Sequence, residues 1–255
     1  LDFLRAWLKD KPYVALAYMT GILPVKKYGS HSALNMFDEY SMLEPSWMAP
    51  YMGFTSSEVE GLCRQWKRDF NECKAWYDGY RLEGAGEVYN PRSVVRSVED
   101  GRFTSYWTQT ETFEALRRYI DMDLDGLHGK VVELVGGGRV EIDMRTYDND
   151  MTTFNRADDV LTLLVHLGYL AYDEPRRKVF VPNREVAGEY ASATAGDGWG
   201  EVARSIAASE SLLDSLLAQD TEAVAQGVER AHADVASIIA YNHEEDLACT
   251  LRLAF

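Results

Sequence analysis

The sequence has few cysteines, and they follow no regular spacing. Cys63, Cys73 and Cys249 are an odd number, form no CxxC pair and have no pair of histidines near them. This pattern excludes a disulfide framework and a zinc site with the usual ligand spacing. The sequence therefore predicts buried, reduced thiols and no metal-ligand cluster.

The sequence also lacks long apolar runs and an excess of positive charge. No apolar run reaches the roughly 18 residues that a membrane span requires, so no membrane partner is expected. The 26 basic and 41 acidic residues give a formal net charge of −15. Because non-specific nucleic-acid binding depends on lysines and arginines that displace counterions, this charge disfavours a nucleic-acid partner for the chain itself.

No secretory signal is recognisable at the start of the chain. It begins Leu-Asp-Phe-Leu-Arg, without an initiator methionine, in a segment that predicts the end of an amphipathic helix. The last residues, Leu247–Phe255, lie within another apolar-periodic helix. We therefore expect a cytoplasmic location, and we expect the chain to be a piece of a longer protein.

Complete catalytic motifs are missing as well. Gly126-Leu127-His128-Gly129-Lys130 comes nearest to a phosphate-binding loop, but it lacks the GxxxxGK[ST] spacing and is followed by Val131. We interpret it as a turn and a helix start. There is no GxSxG or HExxH motif, and the five histidines are scattered. His166 lies in an apolar helix and is predicted to pack in the core.

The residues that are present predict an α+β, mainly helical fold. In the first 45 residues, Tyr13–Met19 is short and apolar throughout, which is typical of a strand buried on both faces of a helix-covered parallel sheet. A second short strand is predicted at Phe37–Met42. This part of the chain is therefore predicted to be the C-terminal edge of an α/β core.

Residues 46–240 predict a mainly helical region. Thr55-Ser56-Ser57-Glu58 is a capping box, which starts a helix that should end near Lys67. Other N-terminal signals and glycine stops predict further helices at Phe70–Trp76, Pro91–Val98, Thr112–Tyr119, Leu127–Val135, Asp158–Leu167, Trp199–Ala218 and Thr221–Ser237. Helical spacing of apolar residues predicts that six side chains are buried: Phe54, Leu62, Leu163, Leu164, Leu167 and Tyr169.

Asp158–Pro182 predicts a helix that leads directly into an antiparallel hairpin. Gly168 can adopt the left-handed conformation that ends a helix. Two segments rich in aromatic and β-branched residues then flank a polar turn, which places Arg176 and Arg177 at the tip. A helix followed by a hairpin is the outline of a winged-helix unit. Because acids flank the arginines, we expect this hairpin to serve packing and not DNA recognition.

Several segments follow one another in a fixed order along the chain. They are YVALAYMTGILPVKKYGSHSALNMFDEYSM (13–42), WYDGYR (76–81), YNPRSVV (89–95), YWTQTET (106–112), NDMTTF (149–154), DDVLTLLVHLGYLAYDE (158–174), VFVPNREV (179–186) and YNHEEDLACTLRLAF (241–255). In this order they resemble a bacterial family of AAA-ATPase-like proteins fused to a PD-(D/E)XK nuclease-like domain. The WYDGY, YNP, LGYL and PN elements are the most specific part of the resemblance.

The resemblance implies three divisions of the chain. Residues 1–45 correspond to the C-terminal part of a P-loop α/β core, 46–240 to a helical lid with the winged-helix-like part, and 241–255 to the first helix of the nuclease-like domain. In the family, the phosphate-binding loop and the Mg²⁺-binding acidic strand come earlier, and the D…(D/E)xK cluster comes later. The resemblance thus implies ATP and Mg²⁺ as cofactors of a longer protein, whose ATPase core and nuclease-like domain are the partners of this chain. Neither active site is complete in these residues, and none of these cofactors is expected to bind the chain itself tightly.

Four residues are candidates for a site by this resemblance. Thr20, at the tip of the predicted strand, could sense a γ-phosphate or simply form a strand-end turn. Lys26 and Lys27 could reach a phosphate, or they could belong to a solvated loop. Glu244 could be a catalytic acid that helps to hold metal in the nuclease-like domain, or it could be an acid favoured by a helix start.

Two functions remain open at this point. The first is a nucleotide-binding protein coupled to a nuclease-like domain, of which this chain holds no complete active site. The second is a catalytically silent regulatory or scaffolding module that binds protein partners through its helical lid. An intact phosphate-binding loop in the flanking part of the gene would favour the first function.

Overall fold

A computed structural model gives the fold of the chain. It describes residues 2–21, 37–107, 112–122, 124, 126–147, 154–195, 199–200, 212 and 215–236. The described residues have an α+β fold, about half helical, with two small three-stranded antiparallel sheets. This confirms the α+β class, while the division into three domains stays a prediction.

Helices make up most of the regular structure in the described ranges. They are α1 (Asp2–Leu8), α2 (Ser56–Trp66), α3 (Phe70–Tyr77), α4 (Pro91–Asp100), α5 (Thr112–Ile120), α6 (Leu127–Val135), α7 (Ala157–His166), α8 (Arg184–Ala193) and α9 (Thr221–Ala236). Predicted boundaries are confirmed within three residues for α2–α7 and α9, and most of Trp199–Ala218 lies outside the described residues. None of the described helices is both long and apolar enough to cross a membrane.

Side-chain caps explain why several of these helices begin where they do. Glu58 accepts hydrogen bonds from the backbone N–H and the hydroxyl of Thr55, both at 2.8 Å, at the start of α2. Asp69 accepts from two backbone amides at the start of α3, and Asn90 does the same at the start of α4. Since the first amides of a helix have no partner within it, these polar residues fix the helix starts.

The first sheet packs against α2, α3 and α4. It contains β1 (Phe54–Thr55), β2 (Tyr80–Leu82) and β3 (Gly86–Tyr89) in the order β1-β3-β2. Their shared core consists of side chains at most 1% exposed, namely Val59, Cys63, Cys73, Tyr77, Tyr89 and Val94. Burial raises the pKa of the Cys63 and Cys73 thiols, which confirms the prediction of buried thiols for these two cysteines. Cys249 lies outside the described residues.

The second sheet contains the predicted hairpin. Its strands are β4 (Val140–Glu141), β5 (Ala171–Asp173) and β6 (Lys178–Phe180), in the order β4-β6-β5. Gly168 has φ +82° just after α7, and Arg177, at the tip between β5 and β6, has φ +54°. Helix, glycine stop and hairpin therefore follow one another as the sequence predicts.

Helix α7 lies at the centre of the larger hydrophobic core. Every residue from Ala157 to Val165 is buried, so this helix is covered on all sides. The predicted burial of Leu163, Leu164 and Tyr169 is confirmed. Phe54, Leu62 and Leu167 are only partly buried, because they pack at the margins of the hydrophobic clusters.

The two sheets meet through strands that lie at their edges. β2 is an edge strand of the first sheet and β5 is an edge strand of the second, and the two strands pack side by side. A small hydrophobic cluster joins them, formed by Ala49, Tyr80, Leu82, Val88 and Ala171. The chain thus closes one sheet edge against another.

Both strands predicted in the first 45 residues are wrong. Tyr13–Met19 has no strand structure, and its large side chains are exposed, with Leu16 at 87% and Tyr18 at 76%. Phe37–Met42 is also irregular. A strand needs a hydrogen-bonding neighbour, and the described part of the chain offers none to either segment.

Candidate functional site

The structure leaves the predicted cofactor and catalytic residues apart from any site. Thr20 is exposed in an irregular segment. Lys26, Lys27 and Glu244 lie outside the described residues, so the roles of all four stay predictions. Within the described ranges, no group of three or more His, Cys, Asp or Glu side chains could hold a metal ion.

The glycine-containing stretch before α6 has a structural role. Gly126 takes φ +74° immediately before the first residue of the helix, which confirms the predicted turn and helix start. Lys130 pairs with the carboxylate of Asp158, and Asp158 also accepts the backbone N–H of Asp143 at 2.9 Å. Lys130 therefore ties α6 to the start of α7.

His166 is partly buried at the end of α7. Burial lowers its pKa to about 4, because the charged imidazolium loses its hydration there. The imidazole is thus neutral near pH 7. It packs at a tilt against Tyr147, with ring centroids 5.9 Å apart, in agreement with the predicted packing role.

Three of the segments that carry the family resemblance meet at one place. We call this place the joint and define it as the turn Asp78–Tyr80 together with Gly168, Pro182 and Asn183. The side-chain amide of Asn183 donates to the carbonyl oxygen of Asp78 at 2.7 Å. The hydroxyl of Tyr80 donates to the carbonyl oxygen of Gly168 at 2.6 Å. These two bonds tie the first sheet to the second.

Gly79 allows the backbone of the joint to approach closely. It has φ +102°, and a Cβ atom built on it would lie 2.1 Å from the carbonyl oxygen of Pro182. No side chain fits at that distance, since non-bonded carbon and oxygen atoms need more than 3 Å. The Asp78-Gly79 turn therefore has a structural role, and its partner is the segment that precedes α8.

Two buried carboxyls make a second connection beside the joint. Glu185 and Glu189 lie one turn apart on α8, and each is 1% exposed. Glu185 accepts hydrogen bonds from the Ser93 hydroxyl at 2.9 Å and from the Tyr106 backbone N–H at 2.7 Å. Glu189 accepts from the Ser105 hydroxyl at 2.6 Å. These hydrogen bonds connect α8 to α4 and to Ser105 and Tyr106, which follow α4 in the chain.

Burial controls the charge of Glu185. It raises the pKa of this carboxyl to about 7, although the hydrogen bonds from Tyr106 and Ser93 act in the opposite direction. The nearby Glu189 raises this pKa further, and Arg92 lowers it. Because a carboxyl is expensive to bury in its charged form, Glu185 exchanges its proton in the neutral pH range.

Glu185, Glu189 and Ser93 were not among the residues singled out from the sequence. A glutamate in the first turn of a helix is normally interpreted as a solvated acid that favours the helix dipole. The available signal was the segment VFVPNREV, which includes Glu185, and the segment YNPRSVV, which includes Ser93. Only the fold brings these two segments into contact.

The small cavity beside the joint has room for little more than a water molecule. Its volume is about 30 Å³, and Met42, Leu43, Tyr80 and Leu170 are among its lining residues. A nucleotide is far too large for it. Together with the two sets of hydrogen bonds, this shows that the joint is closely packed.

Comparisons with protein-family models, with curated proteins and with solved structures find no match to this chain.

Near the tip of the hairpin, one acid pairs with two arginines. Asp173 accepts from Arg139 and from Arg176, each at 2.9 Å. The guanidinium of Arg139 also lies 4.0 Å above the ring of Phe180. These contacts favour packing of the hairpin over recognition of a nucleic acid.

We therefore expect no micromolar binding of short duplex DNA by this chain. The acids beside the arginines and the net charge of −15 both oppose phosphate contacts. Fluorescence anisotropy at low salt measures the binding. An Arg176→Ala, Arg177→Ala double mutant is the control, and micromolar binding that this mutant loses would contradict the packing role.

Proposed function

We propose that this chain is the C-terminal part of the core, the helical lid and the start of the nuclease-like domain of a cytoplasmic AAA-ATPase-like protein that is fused to a PD-(D/E)XK nuclease-like domain. Neither active site is complete in these residues. The lid includes a winged-helix-like unit, formed by α7 and the β5–β6 hairpin, that serves packing. The role of the lid is to connect the ATP-binding core mechanically to the nuclease-like domain.

The observation that carries this proposal is the convergence of the resembling segments at the joint. WYDGYR contacts LGYL through a hydrogen bond between residues 88 positions apart, and it contacts VPN through one between residues 105 positions apart. YNPRSVV contacts the same region through Ser93 and Glu185, which are 92 positions apart. Four of the resembling segments are therefore connected to one another by hydrogen bonds between residues far apart in the chain.

The first 21 residues support a place for this chain within a larger assembly. Six of their large hydrophobic side chains are exposed, and these are Phe3, Trp7, Tyr13, Leu16, Tyr18 and Met19. Exposed apolar surface of this extent is typical of a contact with another protein or domain. In the proposed function this segment belongs to the ATPase-like core, the earlier part of that core covers it, and ATP and Mg²⁺ bind there.

The same exposed side chains favour a second candidate function, a regulatory or scaffolding module without catalysis. The two functions differ in the flanking coding sequence. An upstream GxxxxGK[ST] loop followed by an acidic strand supports the ATPase-like protein. A degenerate loop at that position supports the silent module.

A measurement of ATP binding tests whether the nucleotide-binding site is incomplete in this chain. We expect this chain to bind Mg-ATP with a dissociation constant above about 10 μM, which corresponds to roughly −7 kcal/mol. The reason is that no phosphate-binding loop is present in the sequence. Calorimetric titration measures the affinity, and the longer protein with its upstream loop is the positive control. Tighter binding by this chain alone would refute the assignment.

A further inference from the structure

Residues 103–107 cross the surface next to α8, and we call them the strap. The backbone of Thr104 makes two hydrogen bonds with the Tyr77 hydroxyl, at 2.9 and 3.1 Å. The ring of Trp107 packs edge-on against Tyr169, with centroids 4.9 Å apart. The Ser105 hydroxyl and the Tyr106 amide donate to the two buried carboxyls of α8. The strap thus depends on Glu185 and Glu189 for two of its contacts.

The surroundings of these carboxyls contain little compensating charge. Within the described part of the chain, no lysine or arginine forms an ion pair with Glu185 or Glu189. The groups that face Glu185 are the phenols of Tyr77, Tyr80 and Tyr106, which are neutral at pH 7, and Arg92 of α4, whose charge lowers the pKa of Glu185.

The neighbouring side chains of α8 do not supply the missing charge either. The adjacent Arg184 pairs with Glu72 at 3.2 Å. Glu189 carries charge of the same sign as Glu185 when both are ionised, and the two are one helical turn apart. Two charges at these positions would therefore repel each other in a poorly hydrated environment.

We propose that Glu185, with Glu189 beside it, forms a proton-controlled latch, which holds the strap on α8 while Glu185 carries its proton and releases it when Glu185 is charged. Release lets water reach the Glu185 carboxylate, so the open state tolerates its charge better than the closed state does. The latch is independent of the proposed function, because it requires no nucleotide, metal or partner.

The direction of the pH dependence follows from proton linkage. With the strap closed, the pKa of Glu185 is about 7, and its ordinary value in contact with water is 4.5. The closed state therefore binds a proton between these two pH values and the open state does not. Opening should become up to about tenfold more frequent per pH unit in this window, or roughly 40-fold between pH 5 and pH 7, and should level off above pH 7.

Hydrogen exchange of the whole chain, corrected for the intrinsic effect of pH on exchange, tests the latch. We expect amides of the strap to show this change of roughly 40-fold between pH 5 and pH 7, and to exchange faster than amides of α7 at pH 7. In Glu185→Gln, the amide oxygen can still accept hydrogen bonds from the strap, but no charge can form. Exchange of the strap amides in this variant should therefore not depend on pH after correction for the intrinsic effect. In Ser105→Ala, the strap should open more often at every pH with an unchanged slope.

Two outcomes would overturn the proposal. One is a strap whose exchange does not depend on pH in the wild-type chain. The other is exchange of the strap and of α7 at the same rate at every pH, which would mean that the carboxyls act only on global unfolding. Glu87→Gln, at an exposed carboxyl, is the matched control and should leave the exchange of the strap unchanged.

Discussion

Gly79→Ala is expected to destabilise the fold by more than about 3 kcal/mol, an effect that only a few mechanisms produce in a single substitution. A side chain at φ +102° costs roughly 1–2 kcal/mol by itself. In addition, the new methyl group would lie 2.1 Å from the carbonyl oxygen of Pro182, so the two backbones must separate. Separation lengthens the hydrogen bond from Asn183 to Asp78 and loosens the joint.

Two other glycines separate the possible causes. Gly86 has a similar left-handed conformation, with φ +75°, but nothing lies within 4 Å of a Cβ atom added to it. Gly86→Ala is therefore expected to have only the conformational cost of about 1–2 kcal/mol. Gly61→Ala lies inside α2 with open space around it and should stabilise the chain by about 1 kcal/mol. Urea denaturation of the three variants measures these differences. A cost for Gly79→Ala no larger than that for Gly86→Ala would refute the close approach to Pro182.

Leu164→Ala should cost about 2–5 kcal/mol of the free energy of unfolding. Its side chain is fully buried in α7, which the core surrounds on all sides, so no surface loop can move in to fill the cavity. Leu217→Ala is the matched control, because Leu217 is 75% exposed and its loss should change the stability by less than about 0.5 kcal/mol. Urea denaturation compares the two variants. Equal effects at the two leucines would show that α7 is not central to the core.

Local signals in the sequence predict much of this fold. The capping box at Thr55 and the asparagine before Pro91 define helix starts through hydrogen bonds that lie within three residues of each other. Gly168 ends α7 for an equally local reason, since its φ of +82° disfavours other residues. The hairpin after it follows from a short turn between β-prone segments.

Features that depend on distant parts of the chain could not be predicted in the same way. Tyr13–Met19 has the composition of a buried strand, but its structure is decided by whether a neighbouring strand is available. Glu185 has the sequence context of an ordinary helix-start acid. Its burial depends on contacts with Tyr106 and Ser93, which lie 79 and 92 positions away in the chain. The contacts of the joint are likewise invisible until the two sheets are placed side by side.

The packing of β2 against β5 has a consequence for solubility. Each is an edge strand, and an uncovered edge strand offers a row of unpaired backbone groups to other chains. While the joint is closed, each of these two edges shields the other. A lesion such as Gly79→Ala uncovers both at once, so the affected molecules are expected to associate through their strand edges and to be lost to aggregation before they unfold completely.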